Sequence, residues 1–230
     1  MQALILAGGL GTRLRSVVSD LPKVMAEVAG RPFLAHLLDR LASQGFTRVV
    51  LAVSYKREAI MAYFGDRHGG LDIAYSIEMQ PLGTGGAIRQ ALGKADAGPC
   101  FVLNGDTWLE LDYATMLNAH CQAEAAISMA VKQVDDVSRF GALDVDAGRV
   151  KAFLEKGRTG AGTINAGVYV LETGIFDATP LPEQFSFEAD FLMPQLQRLR
   201  PLVFETAGDF IDIGVPDDYF RAQRLFAAHG

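Results

Sequence analysis

The chain has 230 residues, half of them hydrophobic and 21% charged, a balance that supports a sizeable core and excludes wholesale disorder. Lysine plus arginine number 21 against 27 aspartate plus glutamate, a formal net charge of −6; such a surface is a poor platform for duplex nucleic acid or an anionic membrane, although a few cations in one cleft would still hold a small anion. Cys100 and Cys121 form no CxxC pair and the four histidines do not cluster, which argues against a zinc site and a disulfide framework, and with no signal-like segment and no run near 18 apolar residues a cytoplasmic chain is expected.

Ala3-Leu-Ile-Leu-Ala7 is a continuous apolar run ending at Gly8-Gly9, the pattern of a strand covered on both faces. Pro32 opens a helix with Phe33, Leu34, Leu37, Leu38 and Leu41 on one side, and Gly45 closes it. Residues 48–53 form a second buried strand, 57–64 a helix, and 71–77 a third strand with alternating apolar positions. Thr84 is placed to cap a helix running through Ile88 and Leu92. A fourth strand, 100–103, is cut off by Asn104-Gly-Asp106. Strands alternating with helices predict a mostly parallel sheet with right-handed crossovers. Beyond residue 125 the pattern changes. Strand-like segments follow one another near 126–134, 140–146, 149–155 and 164–171, with a hairpin turn at Asp146-Ala-Gly148, and helices are predicted over 188–199 and 216–228. No internal repeat or linker interrupts this, so the chain reads as a single α/β domain, 1–230, with a more antiparallel second half.

The strongest local feature is the glycine-rich stretch from Leu6 to Arg15 after the first strand, containing Ala7, Gly8, Gly9, Gly11, Thr12 and Arg13. Glycines let backbone N–H groups approach phosphate oxygens. No Gly-Lys-Ser/Thr follows, so this is not a P-loop, and Leu14 stands where a dinucleotide fingerprint needs a small residue. An ordinary turn is the plainer alternative. Lys23, beside Pro22, could pin a phosphate oxygen or point into water. Asp106 lies just past a strand, where ligands bind in open parallel sheets, and would face phosphates only across a hard cation such as magnesium; otherwise it serves a tight turn. Asp212, alone in the apolar run before Gly214-Val-Pro216, either caps that turn or is a second metal ligand. Trp108 and Phe140 fit either a ligand pocket or the core, and Glu188 and Asp190 read as the first turn of a helix rather than a metal pair.

Taken together, these pieces resemble the nucleotidyltransferases that make nucleoside diphosphate sugars. The matching stretches, in order, are Gly9-Leu-Gly-Thr-Arg13-Leu-Arg15, Pro22-Lys23, Pro81-Leu-Gly-Thr-Gly-Gly-Ala87, Asn104-Gly-Asp106, Phe140-Gly141, Glu155-Lys156, Asn165-Ala-Gly-Val-Tyr169 and Asp212-Ile-Gly-Val-Pro216. The resemblance implies a Rossmann-like, mostly parallel sheet flanked by helices with a smaller antiparallel sugar-binding layer, residues 1–110 holding nucleotide and 111–230 the sugar phosphate. It implies transfer of a nucleotidyl group to a sugar 1-phosphate with Mg2+, for surface polysaccharide synthesis. Residues 51–56, 75–86 and 102–107 point to the branch that uses GTP and a heptose 1-phosphate; uridylyl, thymidylyl or mannose 1-phosphate guanylyl transfer, and a non-catalytic nucleotide-sugar sensor, are the alternatives. Carried across, Leu6 and the backbone from Ala7 to Thr12 would hold phosphates, Arg13 would face pyrophosphate and Lys23 the α-phosphate. Glu78, Gly83 and Thr84 would lie along the base, and Asp106 and Asp212 would hold magnesium. Gly141, Glu155 and Asn165 would contact sugar hydroxyls, and Lys156 the sugar phosphate. The partners implied are these small molecules, with neither nucleic acid nor membrane, and homo-oligomerisation left open. Two departures from the family pattern, Arg15-Ser-Val-Val18 and Lys23-Val-Met25, bear on the loop and on Lys23.

Overall fold

The computed structural model describes residues 1–9, 21–155 and 157–227; Gly11, Thr12, Arg13 and Lys156 therefore lie outside the described residues. In chain order the strands are β1 (Gln2–Leu6), β2 (Glu27–Val28), β3 (Arg31–Pro32), β4 (Arg48–Val53), β5 (Arg67–His68), β6 (Leu71–Ile77), β7 (Pro99–Asn104), β8 (Thr107–Leu109), β9 (Ile127–Val134), β10 (Ala142–Asp146), β11 (Arg149–Phe153), β12 (Gly162–Glu172), β13 (Leu202–Glu205) and β14 (Phe210–Asp212). The helices are α1 (Phe33–Ser43), α2 (Arg57–Phe64), α3 (Gly83–Leu92), α4 (Tyr113–Gln122), α5 (Leu196–Leu199) and α6 (Pro216–Ala227).

Ten strands form one sheet in the order β10-β11-β13-β9-β12-β7-β1-β4-β6-β5. At its centre β7, β1, β4 and β6 run parallel. Their apolar runs are buried on both faces, as parallel strands require. Ala3, Ile5, Val49, Leu51, Val53, Phe101 and Leu103 pack toward Leu34, Leu37, Leu38 and Leu41 of α1. Leu4, Val50, Ala52, Cys100 and Val102 pack on the other face toward Ile88, Ala91 and Leu92 of α3. Each fully buried Leu or Ile contributes about 1.5–3 kcal/mol.

The second half continues the same sheet. β12 pairs antiparallel with β7 and with β9, and β10 pairs back onto β12 through Ala142↔Ile164, so β12, β9, β13, β11 and β10 close into a ring. The β10–β11 turn carries Ala147 and Gly148 at φ 47° and 70°, the twist a two-residue hairpin needs. Two small antiparallel sheets, β8/β14 and β2/β3, stand apart from it.

Two predicted elements differ. The helix expected over 188–199 is broken into a π-helical turn, Phe187–Leu192, and the short α5. Pro194 lies between them and has no N–H to carry a helical ladder onward. The wide turn also lets Phe187 and Phe191 stack with ring centroids 5.9 Å apart. Thr84 does not cap α3. The cap position is Leu82, and the Thr84 hydroxyl instead accepts a hydrogen bond from the Phe187 N–H at 2.9 Å.

That bond belongs to a strap, residues 181–187, lying across the start of α3. The Phe185 N–H donates to the Leu82 carbonyl at 3.0 Å, and the Gly85 N–H donates to the Phe185 carbonyl at 2.9 Å. Arg89 donates to the Pro182 carbonyl at 2.8 Å and lies 5.0 Å above the Phe185 ring. A Cβ added to Gly85 would fall against the Phe185 ring, and one on Gly86 would lie 2.5 Å from the Glu183 carbonyl oxygen. The glycines of Pro81-Leu-Gly-Thr-Gly-Gly-Ala87 thus admit the strap. Gly85→Ala overpacks this contact by about 1–3 kcal/mol, a fall in Tm of roughly 2–4 °C per kcal/mol for a chain of this size. Thermal unfolding followed by circular dichroism checks this, and an unchanged midpoint would contradict the packing role.

Candidate active site

β1, β4, β6 and β7 end at one edge of the sheet, and their following residues wall a cleft of about 670 Å³. Leu6, Gly8 and Gly9 reach it from β1, Ser54 from β4, Glu78 from β6, and Asn104 and Asp106 from β7. The chain leaves β1 toward β4 on one side while β7 flanks β1 on the other. A crevice opens where connections diverge in this way.

Gly8 sits tightly here. Ser54 Oγ donates to its carbonyl at 2.7 Å, and an added Cβ would lie 2.8 Å from Ser54 Oγ and 2.9 Å from Glu78 Oε1. Among the described residues no hydrogen bond engages the N–H of Gly8 or Gly9, so both can serve an anion. Ala7 differs from the expectation. It is buried and its N–H donates to the Ala52 carbonyl at 2.8 Å, so donors available to phosphate begin at Gly8.

The charged centre is built by backbone pairing. The Gly105 N–H donates to the Leu6 carbonyl at 2.9 Å, and a Cβ at Gly105 would stand only 2.6 Å from that oxygen. Glycine there presses the end of β7 against the end of β1 and sets Asp106 at the crevice. Asp212 arrives because Thr107 pairs with it in the β8/β14 sheet, and the Ile213 N–H donates to the Asp106 carbonyl at 3.0 Å. Lys23, in a single 3-10 turn anchored by buried Val24 and Met25, reaches between the two acids. Its Nζ lies 2.5 Å from Asp106 Oδ2 and 3.5 Å from Asp212 Oδ1. Asp212 Oδ1 also accepts from the Gly214 N–H at 2.7 Å. All three side chains are at least two-thirds shielded from solvent, with 13%, 33% and 27% exposure for Lys23, Asp106 and Asp212.

Glu78 closes the opposite side. Its N–H donates to the Val53 carbonyl at 2.9 Å, and its Oε2 accepts from the Leu82 N–H at 3.3 Å. Burial raises its carboxyl above the usual carboxylate range, and the Leu82 donor offsets part of that. Gly83 and Thr84 line the same cleft, although the Thr84 hydroxyl already serves the strap.

Gly141, Glu155 and Asn165 lie off this cleft, around one junction of the strand ring. Ala142 pairs with Ile164 and accepts from the Leu154 N–H at 2.8 Å, so each of the three adjoins that contact. Gly141 has φ +79° and Glu155 is exposed. Asn165 opens a bulge in β12, and Gly167 at φ +72° follows it. A Cβ on Gly167 would lie 2.6 Å from Asn104 Nδ2, which puts this bulge directly beside the end of β7. Sequence reasoning gives no site role to Ser54, Asn104 or Tyr169, the latter two quoted only within motifs, and reads Glu188 as the first turn of a helix. Ser54 and Asn104 stand just past or at the end of a parallel strand, as Asp106 does, and that rule would have found them. Glu188 meets Asn165 and Tyr169 only through the fold; Asp190 behaves as expected, accepting from the Ser186 N–H at 2.7 Å. Trp108 and Phe140 pack edge-on against Phe226 and Phe210, at 4.7 and 5.4 Å, as core rings.

The sequence pattern of the nucleotidyl transferase family matches residues 2–229. The chain is 45% identical over 224 residues to the D-glycero-alpha-D-manno-heptose 1-phosphate guanylyltransferase of Aneurinibacillus thermoaerophilus, covering 97% of each chain. It is 46% identical over 223 residues to the protein of the same name from Campylobacter jejuni, covering 96% of this chain and 98% of that one. The crystal structure of HddC from Yersinia pseudotuberculosis is 41% identical and superposes with a TM-score of 0.89, covering 98% of this chain and 99% of HddC. HddC complexed with GMP-PN superposes at 0.86 over the same shares.

Lys23→Met leaves Asp106 and Asp212 facing each other without an ammonium between them. In buffer containing a chelator at neutral pH, a deficit of about 1 kcal/mol is expected after allowing for solvent screening, a Tm lower by about 2–4 °C. A midpoint equal to that of the wild type would show that the ammonium does not hold the two acids together.

Proposed function

The chain belongs to the nucleotidyl transferase family, and we propose that it transfers GMP from GTP to D-glycero-α-D-manno-heptose 1-phosphate, giving GDP-heptose and pyrophosphate. The observation that carries this reading is the meeting of Lys23, Asp106 and Asp212 at the β1/β7 crevice, with Glu78 across the cleft, in a chain that matches two curated guanylyltransferases of that specificity over nearly its whole length. The product serves surface polysaccharide synthesis, and the reaction belongs in the cytoplasm, where GTP is available. Among the described residues no helix is long and apolar enough to cross a membrane. The nucleotide occupies the half formed by residues 1–110 and the sugar phosphate the half formed by 111–230.

The chemistry is attack by an oxygen of the sugar 1-phosphate on the α-phosphorus of GTP. A new P–O bond forms, the bond to the β-phosphate oxygen breaks, and pyrophosphate leaves with that electron pair. The nucleophile is already ionised at neutral pH, so no general base is needed. The obstacle is repulsion between anions. Two unit charges 4 Å apart interact by about 4 kcal/mol at an effective dielectric near 20, and several such pairs must be offset. The residues act by holding and by charge. The N–H groups of Gly8 and Gly9 cradle phosphate oxygens, and Lys23 turns from the acids toward the α-phosphate. As the family resemblance implies, Gly11 and Thr12 would hold phosphate, Arg13 would face the pyrophosphate and Lys156 the sugar phosphate.

Magnesium fits the two acids. The gap between Asp106 and Asp212 already accommodates the ammonium of Lys23, so it is a cation-sized place with hard oxygen donors. Among the described residues no third His, Cys, Asp or Glu joins them, which suits an ion that takes one or two carboxylates and completes its shell with phosphate oxygens and water. Bound there, magnesium would neutralise phosphate charge.

Glu78 reads the base. A carboxylate accepts from the N1–H and the 2-amino group of guanine together, and no such donor pair exists on uracil or thymine. A panel of triphosphates and sugar 1-phosphates with magnesium, read by pyrophosphate release, tests the assignment. Turnover is expected with GTP and the heptose 1-phosphate; turnover with UTP or dTTP but not GTP would contradict it. Recognition needs Glu78 ionised, and burial raises the pH at which it gains a proton. GTP affinity is therefore expected to weaken as pH falls from 7 to 5. In Glu78→Gln affinity is lower by about 10–100-fold at neutral pH, with only the residual pH dependence that the triphosphate itself contributes. Parallel profiles for the two proteins, measured by calorimetric titration, would remove Glu78 from base recognition.

A further inference from the structure

Beside the cleft, Asn165, Tyr169 and Glu188 form a polar cluster whose hydrogen bonds are unevenly spent. The Asn165 amide is committed at both ends. Its Oδ1 accepts from the Gly167 N–H at 3.0 Å, and its Nδ2 lies 2.6 Å from Glu188 Oε1 and 2.5 Å from the Tyr169 hydroxyl. Tyr169 is buried and its hydroxyl donates to the same Glu188 oxygen at 2.7 Å. Burial, then the adjacent Glu188 carboxylate, push the phenol well above its ordinary pKa, so it stays a donor. Both contacts fall on Oε1. Among the described residues nothing engages Glu188 Oε2, and the residue is exposed.

We infer that Glu188 is a specificity-determining residue that touches substrate: its Oε2 accepts a hydrogen bond from a hydroxyl of the sugar 1-phosphate, while Asn165 and Tyr169 are positioning residues that aim it. This rests on the sugar 1-phosphate transfer proposed above. It adds to Asn165, whose two amide hydrogens are already spent, the carboxylate that the amide holds. Three elements fix Glu188. Asn165 and Tyr169 hold it from β12, its own π-helical turn sets its backbone, and the Phe187 N–H ties that turn to Thr84 at the start of α3. The bulge carrying Asn165 adjoins Asn104, a wall residue of the cleft two positions before Asp106, so the carboxylate that Asn165 holds lies off the cleft on its Asn104 side.

Charge also orients the acceptor. A carboxylate repels the 1-phosphate and accepts from hydroxyls, whereas Lys23 attracts the phosphate. The sugar therefore enters with its phosphate toward the α-phosphate region that Lys23, once turned from the acids as proposed above, would hold, and with a hydroxyl edge toward Glu188.

Glu188→Gln preserves size and exposure and removes the charge. With the intact chain, magnesium, GTP and the heptose 1-phosphate, the KM for the sugar phosphate is expected to rise about 10–100-fold, with kcat and the GTP Kd within about twofold of the wild type. Monodeoxy analogues of the heptose 1-phosphate identify the contact. One analogue should cost the wild type that same factor and cost Glu188→Gln almost nothing further. Tyr169→Phe should raise KM by a smaller factor and keep the wild-type ranking of analogues. An unchanged sugar KM in Glu188→Gln, or equal penalties from every analogue in both proteins, would overturn this contact while leaving the transfer reaction standing. Absence of turnover by the wild type with any sugar 1-phosphate would overturn the transfer reading and this contact with it.

Discussion

A single ammonium between two carboxylates organises the functional end of this protein. Asp106 follows a central parallel strand, Asp212 ends a short strand far along the chain, and Lys23 sits in a turn near the start. Leaving two shielded carboxylates unpaired in one place is costly, so the fold that assembles them must also supply a positive charge. The same arrangement equips the site for its chemistry. On the reading proposed above, this place would take magnesium in exchange for the ammonium, and the displaced lysine would then meet a phosphate.

The glycines serve two different ends. At Gly105 and Gly8 the missing Cβ lets strand ends and side chains close in, which sets Asp106 and Glu78 about the cleft. At Gly85 and Gly86 it admits a strap from the second half of the chain onto α3, and this strap carries Glu188 toward Asn165. The cleft and the Asn165 bulge are thereby joined through the strap by backbone and side-chain hydrogen bonds rather than through a linker.

How much of this was legible in the sequence follows from the range of the interactions. β1, β4 and β7 are unbroken apolar runs between turn residues, so their burial and the position of Asp106 past a strand end could be read locally. α4 was missed because only Tyr113, Met116 and His120 of its ten residues are buried; its one local signal, Asp112 accepting from the Thr115 N–H at 3.0 Å, is a cap without a strong apolar stripe behind it. β8 and β13 are too short to show alternation. Glu188 looked like a helix start because its partners lie 19 and 23 residues away, across a strand bulge that no local pattern encodes. The family motif at 81–87 suggests a nucleotide contact, and its three glycines, Gly83, Gly85 and Gly86, also make room for the strap.

The most direct test of the central claim is a crystal structure with manganese and a non-hydrolysable GTP analogue, with the metal located by its anomalous signal. The account expects one peak between Asp106 and Asp212, with the Lys23 ammonium moved onto a phosphate oxygen. A metal bound elsewhere, with Lys23 still bridging the two acids beside bound nucleotide, would contradict it.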